Sequence, residues 1–247
     1  MTTPTYHSTT VTDFGSDATS HAANMPATVN SGDLLLAVVA FDSSGTTLTR
    51  PSGWTTIAFV GGDPVAEIYG KVADGSEGGT TVDFATSNVQ RGSVHVLRIS
   101  KWHGSLDSLR SMNAFTGLTA VVGLMASTVS RDYLFVLAQV QSSVQAFGAT
   151  PTSWTNEALT GVGQNAAASA SIATATRAVT GTATDANPLW VSTSGQPAFM
   201  VAITPNLGGK GSGGKGKGGN TPGPGEPPKK PLRTSLSKSW KWDRGWR

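Results

Sequence analysis

The residues in this chain that could do chemistry are few, and most lack the spacing their chemistry requires. Four histidines, His7, His21, His95 and His103, are scattered without the i, i+2 or i, i+4 pairing that commonly brings two imidazoles to one metal ion. The 247 residues include no cysteine, which excludes thiolate nucleophiles, disulfides and Cys-based zinc or iron–sulfur sites. Gly209 and Gly214 followed by Lys215 have the spacing of a phosphate-binding loop. Gly216 then stands where a Ser or Thr should hold magnesium, and no helix-forming run follows. No G-x-S-x-G elbow marks a nucleophilic serine. Glu67, Glu77, Glu157, Asp83 and Asp185 are the carboxylates from which a glycosidase pair could be drawn. Glu67 and Asp83 read as the wet faces of strands, however, and Glu77 as part of a turn. The expectation is a protein that is not an enzyme, with no catalytic residue, metal or cofactor.

Tryptophan is the other chemically distinctive residue. Trp54 and Trp154 each follow a proline (Pro51, Pro151) and a tight turn and begin a strand, so both read as plugs closing the core. Trp102, between Lys101 and His103, is the indole expected to be exposed and the candidate for stacking on a glycan; Trp190 is less constrained. The last three lie near the C-terminus in LRTSLSKSWKWDRGWR, where Leu232, Leu236, Trp240, Trp242 and Trp246 share one parity and Lys241, Arg244 and Arg247 are interleaved. In an extended strand the three indoles would project from one face. Basic residues alternating with aromatics could stack on nucleic acid, rest on an anionic membrane or add to a partner's sheet edge. Docking onto a protein partner is the reading preferred here, and neither nucleic acid nor membrane is expected as the partner.

Charge divides the chain at Leu207. Before it, eight cations face 13 acids, a net of −5; after it, ten cations face Glu226 and Asp243, a net of +8. Asymmetry of this kind points to an end that meets an acidic surface. The stretch 208–231, GGKGSGGKGKGGNTPGPGEPPKKP, has nothing to bury and reads as a flexible linker. Residues 232–247 read as a basic, Trp-rich anchor peptide. Met1, Thr2, Thr3 and Pro4 lack the basic and apolar regions of a secretory signal, and no stretch approaches the roughly 18 apolar residues of a membrane span. A protein working outside the cell would then leave by lysis, as a virus particle does.

The body, residues 1–207, is expected to be an all-β, antiparallel, jelly-roll-like sandwich. DLLLAVVAF (Asp33 to Phe41) is apolar on both alternating faces, as a strand covered on both sides would be. VAEIYGKV alternates as a strand with one wet face, TVDFAT repeats that pattern, and VHVLRIS (Val94 to Ser100) adds another. Gly-, Asp- and Ser-rich clusters lie between them as turns.

An internal repeat organises these strands. NMPATVNSGDLLLAVVAFDSSGTTLTRPSGWT from Asn24 runs parallel to LMASTVSRDYLFVLAQVQSSVQAFGATPTSWT from Leu124. Met25 matches Met125, Thr28 Thr128, Val29 Val129, Asp33 Asp132, Leu35 Leu134, and Pro51, Trp54 and Thr55 match Pro151, Trp154 and Thr155. The offset is 100, slips to 99 at the aspartates and returns to 100. AFMVAIT (Ala198 to Thr204) is a weaker partner of VHVLRIS. Asp33, Asp132, both prolines and both tryptophans are accordingly assigned structural roles. Repeat 1 spans about 1–115 and repeat 2 about 116–207, with Lys101 to Phe115 as the crossover. Neither half can cover both faces of its own sheet, so the two should share one core.

The succession SGDLLLAVVAFD, RPSGWT, IYGKVADGSEGG and VHVLRIS resembles a group of β-sandwich virion proteins of tailed bacteriophages, over roughly Met25 to Thr204. The second copy departs from the pattern, with Arg131 and Ser153 where the first has glycine. The resemblance implies a structural component of the virion, a minor tail, tail-tip or baseplate protein present in many copies, assembled with other virion proteins through its C-terminal segment. A capsid decoration protein and a carbohydrate-binding module for host-surface glycans are the alternatives.

Overall fold

A computed structural model describes residues 2–42, 45–114, 132–141, 147–160, 170–179 and 198–206. Among the described residues the regular structure is all β-strand apart from one short 3₁₀ turn. β1 (Thr5–Asn24), β2 (Leu34–Phe41), β3 (Leu48–Thr49), β4 (Thr55–Val60), β5 (Val65–Val72) and β6 (Thr81–Ser100) form one sheet. After the 3₁₀ turn Leu106–Ser108 come β7 (Arg110–Ala114), β8 (Tyr133–Gln141), β9 (Thr155–Leu159), β10 (Ser171–Val179) and β11 (Ala198–Ile203). The strand order is β1-β6-β2-β5-β4 in the first sheet, with β3 beside β6, and β7-β11-β8-β10-β9 in the second. All pairings are antiparallel. Replacing β1, β6, β2, β5 and β4 by β7, β11, β8, β10 and β9 turns one order into the other, so each repeat builds one whole sheet once the boundary between them is moved from about 115 to just before β7.

The ladders correct the repeat's alignment. Leu36 pairs with Gly70 and Leu97, and Thr55 with Gly70. In the second sheet Val136 pairs with Thr176 and Val201, and Thr155 with Thr176. Leu34 is therefore equivalent to Leu134 and Leu36 to Val136, with the offset at 100 throughout. The sequence match of Asp33 with Asp132 and Leu35 with Leu134 is one residue out. In a strand that slip exchanges the two faces: Leu34 and Leu134 point into the shared core, whereas Leu35 lies on the outer side of its sheet. The ion pair of the first sheet, Arg98 Nε to Asp33 Oδ2 at 2.6 Å, falls where the second sheet has Ala202 and Tyr133.

One core joins the halves. Leu34, Leu36, Val38, Ile68, Leu97 and Ile99 of the first sheet pack with Leu134, Val136, Val140, Ile172, Phe199 and Val201 of the second. The sheets also approach along their margins, β4 against β7 and β1 against β9, the same relation read in the two directions. This is a single sandwich. β7 belongs to the second sheet, so the crossover ends near Leu109 and not at Phe115. Leu106 and Leu109 of the crossover pack against the core, and a Cβ on Gly70 would stand 3.0 Å from Leu106 Cδ2.

The first sheet carries a second layer on its outer face. β1 and β6 pair over their full length, with register breaks between Phe14 and Ala18 and between Ala18 and Ser20. Beyond the breaks, Ala23 and Phe84 join Leu35, Val39, Trp54 and Tyr69 in one buried cluster, so the two-stranded ribbon folds back over its own sheet. Asn24 N donates to Thr12 Oγ1 at 3.0 Å where the ribbon closes on itself. Gly92 sits at the bend, facing Phe14 and Phe41; a Cβ there would lie 2.0 Å from the Ala40 carbonyl oxygen. This layer overturns the expected wet face of VAEIYGKV. Glu67 and Tyr69 are buried because the folded ribbon covers them.

The body forms one compact unit, Met1–Gly208, and Gly209–Arg247 is a separate one. The linker 208–231 and the anchor peptide 232–247 lie outside the described residues, as do Met125, Thr128, Val129, Arg131, Asp185 and Trp190.

Candidate functional site

Polar side chains gather between the two sheets. Residues 93, 95, 97 and 99 of β6 alternate toward the second sheet, so Ser93 and His95 share the face of Leu97 and Ile99. His95 is fully buried, with Nδ1 2.9 Å from Thr174 Oγ1 and Nε2 3.1 Å from Thr160 Oγ1. Thr160 Oγ1 also accepts from Ile172 N at 3.0 Å and donates to Ile172 O at 3.2 Å, so its proton is committed. The network therefore assigns the proton of His95 to Nε2, with Nδ1 accepting from Thr174. Burial in this site pushes the imidazole down to about 3, which keeps it neutral. The Ser93 hydroxyl reaches Asp13 Oδ1 at 2.8 Å and Ala170 O at 3.0 Å. These groups fasten sheet to sheet. The four histidines look scattered in the sequence, but the parity of His95 with Leu97 and Ile99 is a signal that it points inward.

The carboxylates are engaged singly. Glu67 accepts from Thr56 Oγ1 and from Tyr69 Oη, each at 2.7 Å. Burial and this carboxylate together hold the Tyr69 phenol well above its usual range. Glu77 pairs with Lys71 Nζ at 2.9 Å and accepts from the N–H groups of Asp74 and Gly75, ordering the turn after β5. Burial works to raise the Glu77 carboxyl, but Lys71 and those N–H groups outweigh it, so it titrates below the usual range. Asp83 accepts from Ser20 Oγ at 2.6 Å on the exposed face expected of it. Asp42 titrates above its usual range, through burial first and then the nearby charges of Asp17 and Asp63. Among the described residues, no group of three or more His, Asp or Glu side chains is placed to hold a metal ion.

The tryptophans separate into two kinds. Trp54 N donates to Pro51 O at 3.2 Å and Trp154 N to Pro151 O at 3.1 Å, one closing the same turn in each sheet. The residue before each indole has positive φ, +79° at Gly53 and +72° at Ser153, so the serine adopts the glycine's conformation. Both indoles are buried on the outer faces, Trp54 edge-on to Phe84 at 6.0 Å, and neither Nε1 has a hydrogen-bond partner among the described residues. Trp102 overturns its assignment as an exposed glycan platform. It is 2% exposed, packed in the shared core, with Nε1 donating to Gly32 O at 2.8 Å. No face of that indole is open to a sugar. Trp190 lies outside the described residues.

Trp102 instead belongs to the place where the body ends. β11 stops at Ile203, His103 N donates to Thr204 O at 3.0 Å, and Trp102 bridges to Pro205. Thr2 bridges to Asn206, and Thr3 Oγ1 donates to Asp132 Oδ2 at 3.1 Å. The first residues of the chain thereby pin the point from which the C-terminal segment departs. Nearby, Asp33 takes both Arg98 Nε and the Asn30 N–H. The anchor residues Leu232, Leu236, Trp240, Lys241, Trp242, Arg244, Trp246 and Arg247 lie outside the described residues.

Comparison with protein-family models, curated proteins and solved structures returns no match.

Proposed function

We propose that this chain is a structural protein of a tailed-phage virion, a minor tail or tail-tip component, in which the sandwich is the displayed body and the C-terminal segment is the anchor. The observation that carries this reading is the division of the chain. A body of net charge −5 ends at a pinned point, Asn206, and is followed by a segment of net charge +8 with three of the seven tryptophans. A tether ending in aromatic anchors fastens a subunit well, since indoles bury large areas and the linker tolerates mismatch. The doubled sandwich supports the same reading: its polar groups tie strands and sheets together, as a body selected for rigidity requires. The partners are other virion proteins, in a many-copy assembly.

A chain lacking 208–247 tests the proposal. The truncated body is expected to keep the thermal transition of the full chain and to be lost from purified particles. Normal incorporation of the truncated chain would end the anchor reading. Separating tail from head fractions of the particles distinguishes a tail component from a capsid decoration protein.

A further inference from the structure

Outer strands of an open sheet carry unpaired N–H and C=O groups that invite pairing with another chain. Among the described residues, two-residue β3 is too short to offer an edge, and three of the four strands that end the two main sheets are guarded. β4 is interrupted between Thr56 and Ala58 and faces β7, whose Ser111 Oγ donates to Ile57 O at 3.0 Å. β7 has only five residues and is held by the same contact. β9, also five residues, is kinked by Asn156 at φ +56° and breaks register against β10.

The fourth edge differs at its backbone: β9 approaches the margin of β1 and Asn24 N reaches Thr12 Oγ1, but among the described residues no side chain bonds the outward backbone groups of Ser8 to Thr12. From Thr5 to Phe14, β1 pairs with β6 with one shift, between Tyr6 and Ser8, and β6 is its only strand partner among the described residues. TYHSTTVTDF contains no Lys, Arg or Pro, the residues that commonly blunt such edges, and Val11 in its middle is 37% exposed. The stretch is also self-complementary. Laid antiparallel against itself about Thr10, it sets Thr10 against Thr10, Thr9 against Val11, Ser8 against Thr12 and His7 against Asp13. These are β-branched and hydroxyl pairs with an imidazole opposite an acid, and no like charges meet.

We infer that two copies of this chain join edge to edge through Ser8 to Thr12 of β1, about a two-fold axis at Thr10, so that one sheet runs through both sandwiches. An isologous contact requires this kind of self-complementarity. The joint is short and falls below the roughly 1,200 Å² of a stable specific interface, so it is weak for a free pair and gains strength where many copies are held side by side.

The absence of native cysteine lets one substitution read the register. Gently oxidised T10C, in the full chain, is expected to shift from 25.3 kDa to twice that mass on a non-reducing gel. Residues directly opposite in an antiparallel pair have Cα atoms about 4.5–5.5 Å apart, within disulfide reach. S8C and T12C should each stay monomeric alone and give the mixed dimer together. The pairing is overturned if T10C dimerises no more than T55C on the guarded β4 edge, or if S8C alone cross-links as readily as the mixture. T10C lacking 208–247 should cross-link like the full chain; loss of the cross-link with the tail would assign the contact to the tail and also overturn the pairing. Each of these results leaves the anchor reading to be judged by particle incorporation.

Discussion

Trp54 and Trp154 occupy the same position in two different sheets, each indole closing a turn whose proline carbonyl accepts the tryptophan N–H. Both lie on the outer faces, where each packs against its own sheet and not against the other half. Replacing either by Ala should cost about 3–5 kcal/mol, the usual range for a buried large aromatic. The positive φ before each indole adds a finer test. Gly53→Ser should cost about 1 kcal/mol and Ser153→Gly should not destabilise, because left-handed backbone penalises a residue with a Cβ. Urea unfolding of the four variants measures both effects. Tryptophan variants as stable as the parent would remove the plug assignment.

Gly92 makes the bend that folds the β1–β6 ribbon over its own sheet. A methyl group there would stand 2.0 Å from the Ala40 carbonyl and 2.6 Å from the Phe41 ring, and backbone cannot yield as a side-chain tip can. Gly92→Ala should therefore cost at least the roughly 1–3 kcal/mol of ordinary overpacking. Gly15, at the same bend, has nothing within 4 Å of its notional Cβ, so Gly15→Ala should be close to neutral. Equal thermal shifts in the two variants would contradict the close approach.

His95 makes the sandwich acid-sensitive. Its imidazole titrates near 6.5 when unfolded and is pushed down to about 3 in the folded chain by burial. The unfolded state therefore takes up the proton first as pH falls. The contribution is complete above pH 6.5 and is lost progressively between 6.5 and about 3. Holding a group one pH unit away from its unfolded titration point is worth about 1.4 kcal/mol, so the loss over that window amounts to several kcal/mol. Buried His21, also lowered by burial, acts in the same direction. His95→Gln, which keeps a donor and an acceptor for Thr160 and Thr174, should flatten the pH dependence of the urea midpoint between pH 7 and 4. An unchanged slope would show that the acid response arises elsewhere.

How much of this was legible in the sequence depends on what each strand touches. Asp33 to Phe41 could be read directly, because a strand buried on both faces writes itself as an unbroken apolar run. The duplication could be read from Pro51, Trp54 and Thr55 against Pro151, Trp154 and Thr155, since turn residues do not tolerate drift. The register of the second repeat could not. Two aspartates before two leucines attract each other in an alignment, and only the ladder shows that they sit on opposite faces. β1 was not foreseen, because Thr5–Asn24 is largely exposed and has no apolar alternation to announce it. Glu67 looked solvated because what covers it, the folded β1–β6 ribbon, comes from distant parts of the chain. Trp102 looked exposed beside Lys101 and His103, although its indole is turned into the core.

The doubled architecture yields a last prediction. Each sheet presents an inner face of large apolar residues, Leu34, Leu36 and Ile68 on one, Leu134, Val136 and Phe199 on the other, and each is the main cover of the other, with Trp102, Leu106 and Leu109 filling in beside them. Neither half should be soluble alone, since an uncovered face of that kind is an association surface and a single sheet cannot bury both its sides. The chain can be divided at Gly104, which is exposed, has φ +91° and leaves open space around its notional Cβ. Produced separately, residues 1–104 and 105–207 should aggregate. Produced together, they should co-elute as one complex with the strand content of the parent body, because the β4–β7 and β1–β9 margins and the His95–Thr174 contact all form across the cut. Circular dichroism and co-purification through a tag on one half would measure this. A half that melts cooperatively as a soluble monomer would mean that the two repeats are independent domains and that the shared core is not what holds the body together.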